Sequence, residues 1–152
     1  MPGIQNVIAI DGPAGSGKST AAKVVAQDLN LLYIDTGAMF RAIAYYIKKK
    51  GIDFVNKPLD ETSLKNVSQF LEKMKFEYTP KSGVLIQIDG EDLTKKIRQN
   101  EVSEMASHIS QYPVVSDYLS QIQRDIASKR ESVLEGRDIG TVIFPKAKLK
   151  IF

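Results

Sequence analysis

Apolar positions along this chain follow two rhythms. Val7-Ile8-Ala9-Ile10 and Leu31-Leu32-Tyr33-Ile34 are short runs with almost no polar interruption, as a parallel strand covered on both faces requires. Ser132-Val133-Leu134-Glu135 is a third such run, and Lys148 to Phe152 opens a fourth. Between them apolar residues recur every three or four positions. Ala21, Val24, Val25 and Leu29 do so from Thr20 to Leu29; Phe40, Ile43, Ala44 and Ile47 do so from Ala38 to Lys50; Val115, Tyr118, Leu119, Ile122 and Ile126 follow Pro113. This spacing predicts helices, with Asn30 as a C-terminal cap, Gly51 as a stop and Pro113 at a first helical position. Strands alternating with helices imply an α/β fold built on a parallel sheet.

The stretch from about Asp53 to Tyr112 has a different pattern. Asp60-Glu61-Thr62-Ser63 reads as a helix start, continued by Leu64, Val67, Phe70, Leu71 and Met74. Phe76 and Tyr78 then alternate with polar residues, Pro80-Lys81-Ser82-Gly83 is a turn, and Val84 to Asp89 reads as a returning strand. Asp89-Gly90 is a further turn signal, and short helices are expected around 95–98 and 101–110. Strands joined by hairpins are antiparallel and cannot be crossovers of a parallel sheet. The organisation expected is one domain, with a core of about 1–52 and 113–152 and an α+β insert at about 53–112.

The first strand runs into Gly12-Pro13-Ala14-Gly15-Ser16-Gly17-Lys18-Ser19, followed by Thr20 and a helix. This is the G-x-x-x-x-G-K-[ST] phosphate loop in its strand–loop–helix setting. Its glycines let backbone N–H groups line a nest for phosphate oxygens, and the helix aims its positive end at the same point. Lys18 can reach the β- and γ-phosphates, and the Ser19 hydroxyl can bind Mg²⁺ beside them. The chain is therefore expected to bind a nucleoside triphosphate. Asp35-Thr36-Gly37, at the carboxyl end of the second strand, should lie beside this loop, where ligands of such sheets collect.

Composition narrows the partners. The chain has 152 residues, a net charge of +3 and no cysteine. The mild positive charge suits a small anionic substrate as well as nucleic acid; the partners expected from the motifs below are small nucleotides, with no nucleic acid. The one basic run, Lys48-Lys49-Lys50, ends a helix and complements its dipole. Without cysteine there is no disulfide framework or thiolate zinc site. No apolar stretch is long enough to span a membrane, and Met1-Pro2-Gly3-Ile4-Gln5 lacks the features of a signal peptide. A cytoplasmic location is expected.

A phosphate loop alone is common to kinases, GTPases and motor ATPases. Asn56-Lys57-Pro58-Leu59 fails the guanine-binding pattern at its fourth position, and no apolar strand ends in the paired Asp-Glu of motor ATPases. The chain offers arginines near strand ends instead. Arg41 is expected in the first turn of the helix after Asp35-Thr36-Gly37, and Arg137 with Asp138 follows the third strand. The planar guanidinium suits bidentate capture of phosphate. An arginine at the positive end of a helix has no dipole reason to be there, which points Arg41 toward a ligand. Asp138 could hold a metal-bound water, a polar group of substrate or Arg137. His108, the single histidine, reads as surface or packing, and Tyr45, Tyr46, Phe76 and Tyr78 as core.

Ile8 to Ser19, Asp35 to Arg41 and Glu135 to Val142 together resemble bacterial-type cytidylate kinases, and Gly90-Glu91-Asp92, Ile97-Arg98 and Glu101-Val102 resemble that family's insert. The resemblance implies transfer of the γ-phosphoryl of ATP to CMP or dCMP with Mg²⁺, in the fold of the P-loop nucleoside-monophosphate kinases. It implies a parallel sheet of five strands with flanking helices, an α+β monophosphate-binding insert and a mobile lid, in an enzyme that acts as a monomer. By resemblance Gly12 to Thr20 hold the ATP phosphates, Thr36 and Gly37 lie near the acceptor nucleoside, Arg41 and Arg137 grip its phosphate, and Ser107 and Asp138 lie near the pyrimidine. Ser116 follows Pro113-Val114-Val115 where the family usually has an arginine that reads the pyrimidine, which implies looser cytosine selectivity. Family members continue past the position of Phe152, so the lid and last strand are expected to be absent from this chain, leaving it a nucleotide-binding piece that is inactive alone.

Overall fold

The apolar runs form the strands they predict, the first and third lengthened and the second and fourth shifted by one residue. In the computed structural model, which describes residues 5–13, 15–80 and 85–152, the first run lies in β1 (Gln5–Asp11), followed by α1 (Lys18–Leu29), β2 (Leu32–Asp35) and α2 (Thr36–Lys49). Next come α3 (Glu61–Lys73), β3 (Phe76–Tyr78), β4 (Ile86–Ile88) and β5 (Glu91–Asp92). A 3₁₀ turn at Lys96–Arg98, α4 (Asn100–Ile109) and α5 (Pro113–Lys129) lead to β6 (Ser132–Gly136), a π-helical turn at Ile139–Ile143 and β7 (Ala147–Ile151). The chain divides into two units, residues 1–37 with 120–152, and residues 38–119.

The first unit holds a four-stranded sheet in the order β2-β6-β1-β7. All of its pairings are parallel, with Ile8 opposite Val133 and Leu149, and Tyr33 opposite Val133. Ile8, Ile10 and Val133 pack with Ala22 and Ala26 of α1, and Val25, Leu31 and Tyr33 close the edge of that cluster. Val7, Ala9, Ile34 and Leu134 point to the opposite face and are also buried. Burial on both faces is why these strands read as unbroken apolar runs. β7 lies at one edge of the sheet, with Leu149, Ile151 and Phe152 exposed.

Helix ends follow local chemistry. Asn30 adopts the left-handed conformation (φ 53°), and the Leu31 N–H reaches back to the Ala26 carbonyl, closing α1 in a Schellman-type turn. Pro113 opens α5 as expected. The start of one helix differs from expectation. α2 begins at Thr36 rather than Ala38, because β2 runs straight into the helix and the Thr36 hydroxyl donates to the Glu135 carbonyl (2.7 Å). Arg41 therefore lies in the second turn of α2, not the first. The dipole effect fades beyond the first turn, so it gives no reason for the identity of Arg41.

Gly136, at the end of β6, sits in a space that admits no side chain. A Cβ there would lie 2.7 Å from Thr36 Oγ1 and 2.9 Å from Ile139 Cδ1. Gly136→Ala is expected to destabilise the protein by about 1–3 kcal/mol through overpacking, read as a lower midpoint of urea unfolding. An unchanged midpoint would mean that Thr36 and Ile139 can yield.

In the second unit β3, β4 and β5 form a separate antiparallel sheet, as the hairpin argument requires. Asp60 caps α3 by accepting from the Ser63 N–H (2.8 Å). The turn expected at Pro80 to Gly83 and the start of the strand expected at Val84 fall largely outside the described residues. Asp89 and Gly90 both have positive φ, 52° and 83°, the signature of a type I′ hairpin turn. That turn folds Glu91 and Asp92 back onto Gln87 and Ile88 as β5. Two consecutive acids carry no strand pattern, so only the turn geometry makes them one. The lysine run at the end of α2 is exposed and engaged with acids. Lys48 bonds to Glu101, and Lys49 bonds to Glu91 (2.7 Å), which also accepts from Lys96. These bonds to Lys49 and Lys96 hold the Glu91 carboxyl below its ordinary pKa. Tyr46 is a core residue, as expected, and Tyr45 lies under the Lys96 ammonium.

Candidate functional site

The phosphate loop hangs between β1 and α1. The Gly12 N–H donates to the Gly136 carbonyl (3.1 Å), which anchors the start of the loop to β6. Gly15 and Gly17 take φ of 77° and 84°, a region costly for any residue with a Cβ. Gly17 is the N-cap of α1 and supplies no side-chain acceptor, and the first turn of α1 contains no acid. The positive end of this helix is thus not neutralised by residues of α1 itself. Lys18 folds back so that Nζ donates to the Pro13 carbonyl (3.3 Å). Pro13, Gly15, Ser16, Gly17, Ser19 and Thr20 are exposed along the loop and Gly12 is buried beneath it; Ala14 lies outside the described residues.

A carboxylate that sequence reading passed over stands next to this loop. Glu135 is only 3% exposed. Its Oε2 accepts from the Ser19 hydroxyl (2.7 Å), and its Oε1 accepts from the Tyr33 hydroxyl. Its backbone carbonyl accepts from Thr36. Glu135 thereby brings the end of β2 to the phosphate loop, as expected of Asp35-Thr36-Gly37, although β6 separates β2 from β1. The signal was present in sequence. A third apolar strand ends in a single acid at the sheet's carboxyl edge, where ligands gather, rather than in a paired Asp-Glu.

Arg137 and Asp138 follow β6 and are exposed. Among the described residues neither side chain makes a hydrogen bond or an ion pair, so the option that Asp138 serves to hold Arg137 is not realised. The turn that carries them is fixed from beneath. Asp11, at the end of β1 and 9% exposed, accepts from the Ile139 N–H through Oδ1 and from the Gly140 N–H through Oδ2, both at 2.8 Å. Arg124 Nε donates to the Ile143 carbonyl (3.2 Å) at the other end of the same turn. The first unit thus brings together the phosphate loop, Thr36, Gly37, Arg137 and Asp138.

The other expected residues lie in the second unit. Arg41 is half-buried on α2. Ser107 is exposed on α4, and its hydroxyl donates to the Ser103 carbonyl (3.3 Å), as a helical serine often does. Ser116 donates to the Pro113 carbonyl (3.4 Å) in the first turn of α5. His108 is half-buried in the last turn of α4. A cavity of about 360 Å³ in this unit is lined by residues including Lys48, Phe54, Asn56, Glu101 and Met105 and contains none of the expected site residues. Among the described residues no group of three or more His, Cys, Asp or Glu could hold a metal ion, and no helix is long and apolar enough to cross a membrane.

The family model described as cytidylate kinase matches residues 8–152. The chain is 42% identical over 146 residues to the cytidylate kinase of Fusobacterium nucleatum, covering 96% of this chain and 62% of that protein. It is 44% identical over 147 residues to the cytidylate kinase of Chlorobaculum tepidum, covering 96% and 59%. It is also 45% identical over 146 residues to a bifunctional pantoate ligase/cytidylate kinase of Prochlorococcus marinus, covering 96% and 28%. The chain thus spans about 60% of the length of the single-function relatives it matches. A match that runs unbroken from Ile8 through the phosphate loop and the Arg137–Asp138 turn to Phe152 leaves one assignment: the chain belongs to the cytidylate kinase family.

Proposed function

We propose that this chain carries the ATP site and much of the acceptor site of an enzyme that transfers the γ-phosphoryl of ATP to CMP or dCMP, giving ADP and CDP or dCDP. The observation that carries the reading is the phosphate loop, with Lys18 folded over Pro13 and Ser19 bonded to Glu135. A single kinase domain, with residues of about 53–112 as its monophosphate-binding insert, is the organisation proposed. It acts in the cytoplasm as a monomer.

Phosphoryl transfer needs little covalent work from a protein, so positioning and charge neutralisation dominate. The loop from Gly12 to Thr20 holds the ATP phosphates, chiefly through free backbone N–H groups at the start of α1. Lys18 leaves the Pro13 carbonyl for the β- and γ-phosphates and spreads the charge that builds on the transferring group. Arg41 and Arg137 hold the acceptor phosphate in line. That phosphate is itself the nucleophile, so no general base is needed. Thr36, Gly37, Ser107 and Asp138 orient the acceptor nucleoside, and Ser116 leaves the pyrimidine less strictly read.

The residues present fit Mg²⁺ bound together with ATP. Ser19 and Glu135 offer oxygen donors 2.7 Å apart, and Mg²⁺ favours one or two such groups with phosphate oxygens and water. A buried carboxylate beside a triphosphate is unfavourable unless a cation lies between them. When bound, the ion would neutralise charge on the β- and γ-oxygens. Glu135→Gln is expected to raise the Mg²⁺ needed for half-maximal rate by about 10–100-fold and to leave the CMP requirement unchanged. An unchanged Mg²⁺ titration would remove Glu135 from this role.

Incubating the protein with ATP and CMP, and following CDP by ³¹P NMR beside AMP and UMP controls, tests the whole reading. A protein at the length of its relatives that makes no CDP would overturn it. A second reading has support from the 59–62% coverage of those relatives. In it the 152-residue chain alone binds ATP phosphates and transfers no phosphoryl group.

A further inference from the structure

We infer that Asp11 is a positioning residue for the acceptor side of the reaction. It locks the turn bearing Arg137 and Asp138 to the strand that ends in the phosphate loop. This inference rests on the acceptor role proposed above for those two residues.

Asp11 ends β1 directly opposite Gly136 in the parallel register. Its side chain is 9% exposed and makes no ion pair among the described residues. Both of its oxygens are spent on consecutive backbone donors, Ile139 N–H and Gly140 N–H, each at 2.8 Å. These donors open the π-helical turn Ile139–Ile143, so the turn's own hydrogen bonds cannot satisfy them. π-Helical geometry is uncommon and needs support from outside the segment. Here the support is specific. The Val142 and Ile143 N–H groups return to the Asp138 carbonyl, and Arg124 holds the far end. Gly140 is also close-packed, with a Cβ there lying 3.1 Å from Lys150 Cγ and 3.4 Å from Asp11 Oδ2.

The consequence is geometric. Arg137 and Asp138 project from a two-residue bridge between β6, which is fixed by its pairing to β1, and a turn fixed by Asp11. Neither side chain is held by a partner of its own among the described residues. Their reach is therefore set by the backbone, and the backbone by Asp11. Because Asp11 immediately precedes Gly12, the same strand end sets where the donor phosphates sit. A carboxylate is needed because it accepts twice without donating. Asparagine in its place would turn an N–H toward one of two N–H groups.

The test uses Asp11→Asn and Asp11→Ala with separate titrations of CMP and ATP, and amide hydrogen exchange by NMR. Asp11→Asn is expected to weaken CMP binding about tenfold and to keep ATP binding within twofold. Exchange at Ile139 and Gly140 should accelerate at least tenfold while that of the β1 amides Val7 to Ile10 stays as it was. Asp11→Ala should show the same selectivity, since it removes both acceptors. Unchanged CMP affinity in either folded variant would overturn the inference. So would CMP and ATP affinities falling together with faster exchange throughout β1, which marks a merely structural role. A wild-type protein that binds ATP but not CMP would refute the acceptor reading instead, and the exchange rates at Ile139 and Gly140 would then decide the positioning by themselves.

Discussion

Replacing Lys18 with alanine is expected to lower the rate of CDP formation by roughly 10²–10³-fold, the loss typical when one preorganised donor to a developing charge is removed. The fold should not change. The Lys18 ammonium makes one hydrogen bond, to the Pro13 carbonyl, and no ion pair among the described residues. The carbonyl it leaves lies in an exposed part of the loop where water can replace it. Lost transfer with an unchanged urea midpoint would identify Lys18 as a charge delivered to the phosphates. Transfer at the wild-type rate in that variant would sink the assignment of this loop as the donor site. Lys18→Arg separates charge from shape. A wider planar fork cannot enter a nest sized for an ammonium, so arginine should recover only a small part of the rate.

Arg137→Met should raise the CMP concentration needed for half-maximal rate by roughly 10–100-fold, which corresponds to the about 1.5–3 kcal/mol of a hydrogen bond to a charged group. The ATP requirement should stay within about twofold if Arg137 holds the acceptor phosphate as proposed. Methionine keeps much of the length of the side chain and removes the fork. Because Arg137 is exposed and has no partner to lose among the described residues, the change should leave stability within about 0.5 kcal/mol. Arg41→Met is expected to show the same preference for the acceptor. Steady-state kinetics with each nucleotide varied in turn decides the matter. A selective loss of ATP affinity in either variant would place that arginine on the wrong substrate.

Much of the fold was legible because its signals are local. Unbroken apolar runs gave the parallel strands, since both faces of β1 and β6 are buried. Residues with a fixed conformational preference gave the ends. Asn30 takes the left-handed cap, Asp60 accepts from Ser63, and Asp89-Gly90 turns the hairpin. The phosphate loop was legible for the same reason, being a contiguous motif whose glycines meet a local backbone demand.

What stayed hidden depends on residues distant in sequence. Nothing near Asp11 in the chain says that its carboxylate bonds to the backbone 128 and 129 positions later. Likewise nothing near Ser19 points to Glu135, 116 positions away. The placement of Arg41 failed on a smaller scale. It took Thr36 and Gly37 for a loop, whereas the helix is extended backward by a Thr36 hydroxyl whose acceptor lies on β6. β5 became a strand because a preceding turn folded it onto β4, although Glu91 and Asp92 have no strand propensity of their own. The sequence by itself determined the strands and helices of the parallel sheet and the position of the phosphate-loop motif, because hydrophobic period and glycine conformation act over a few residues. Only the tertiary structure decided which carboxylates stand beside that loop, because a buried acid is stable only where other parts of the chain bring it donors.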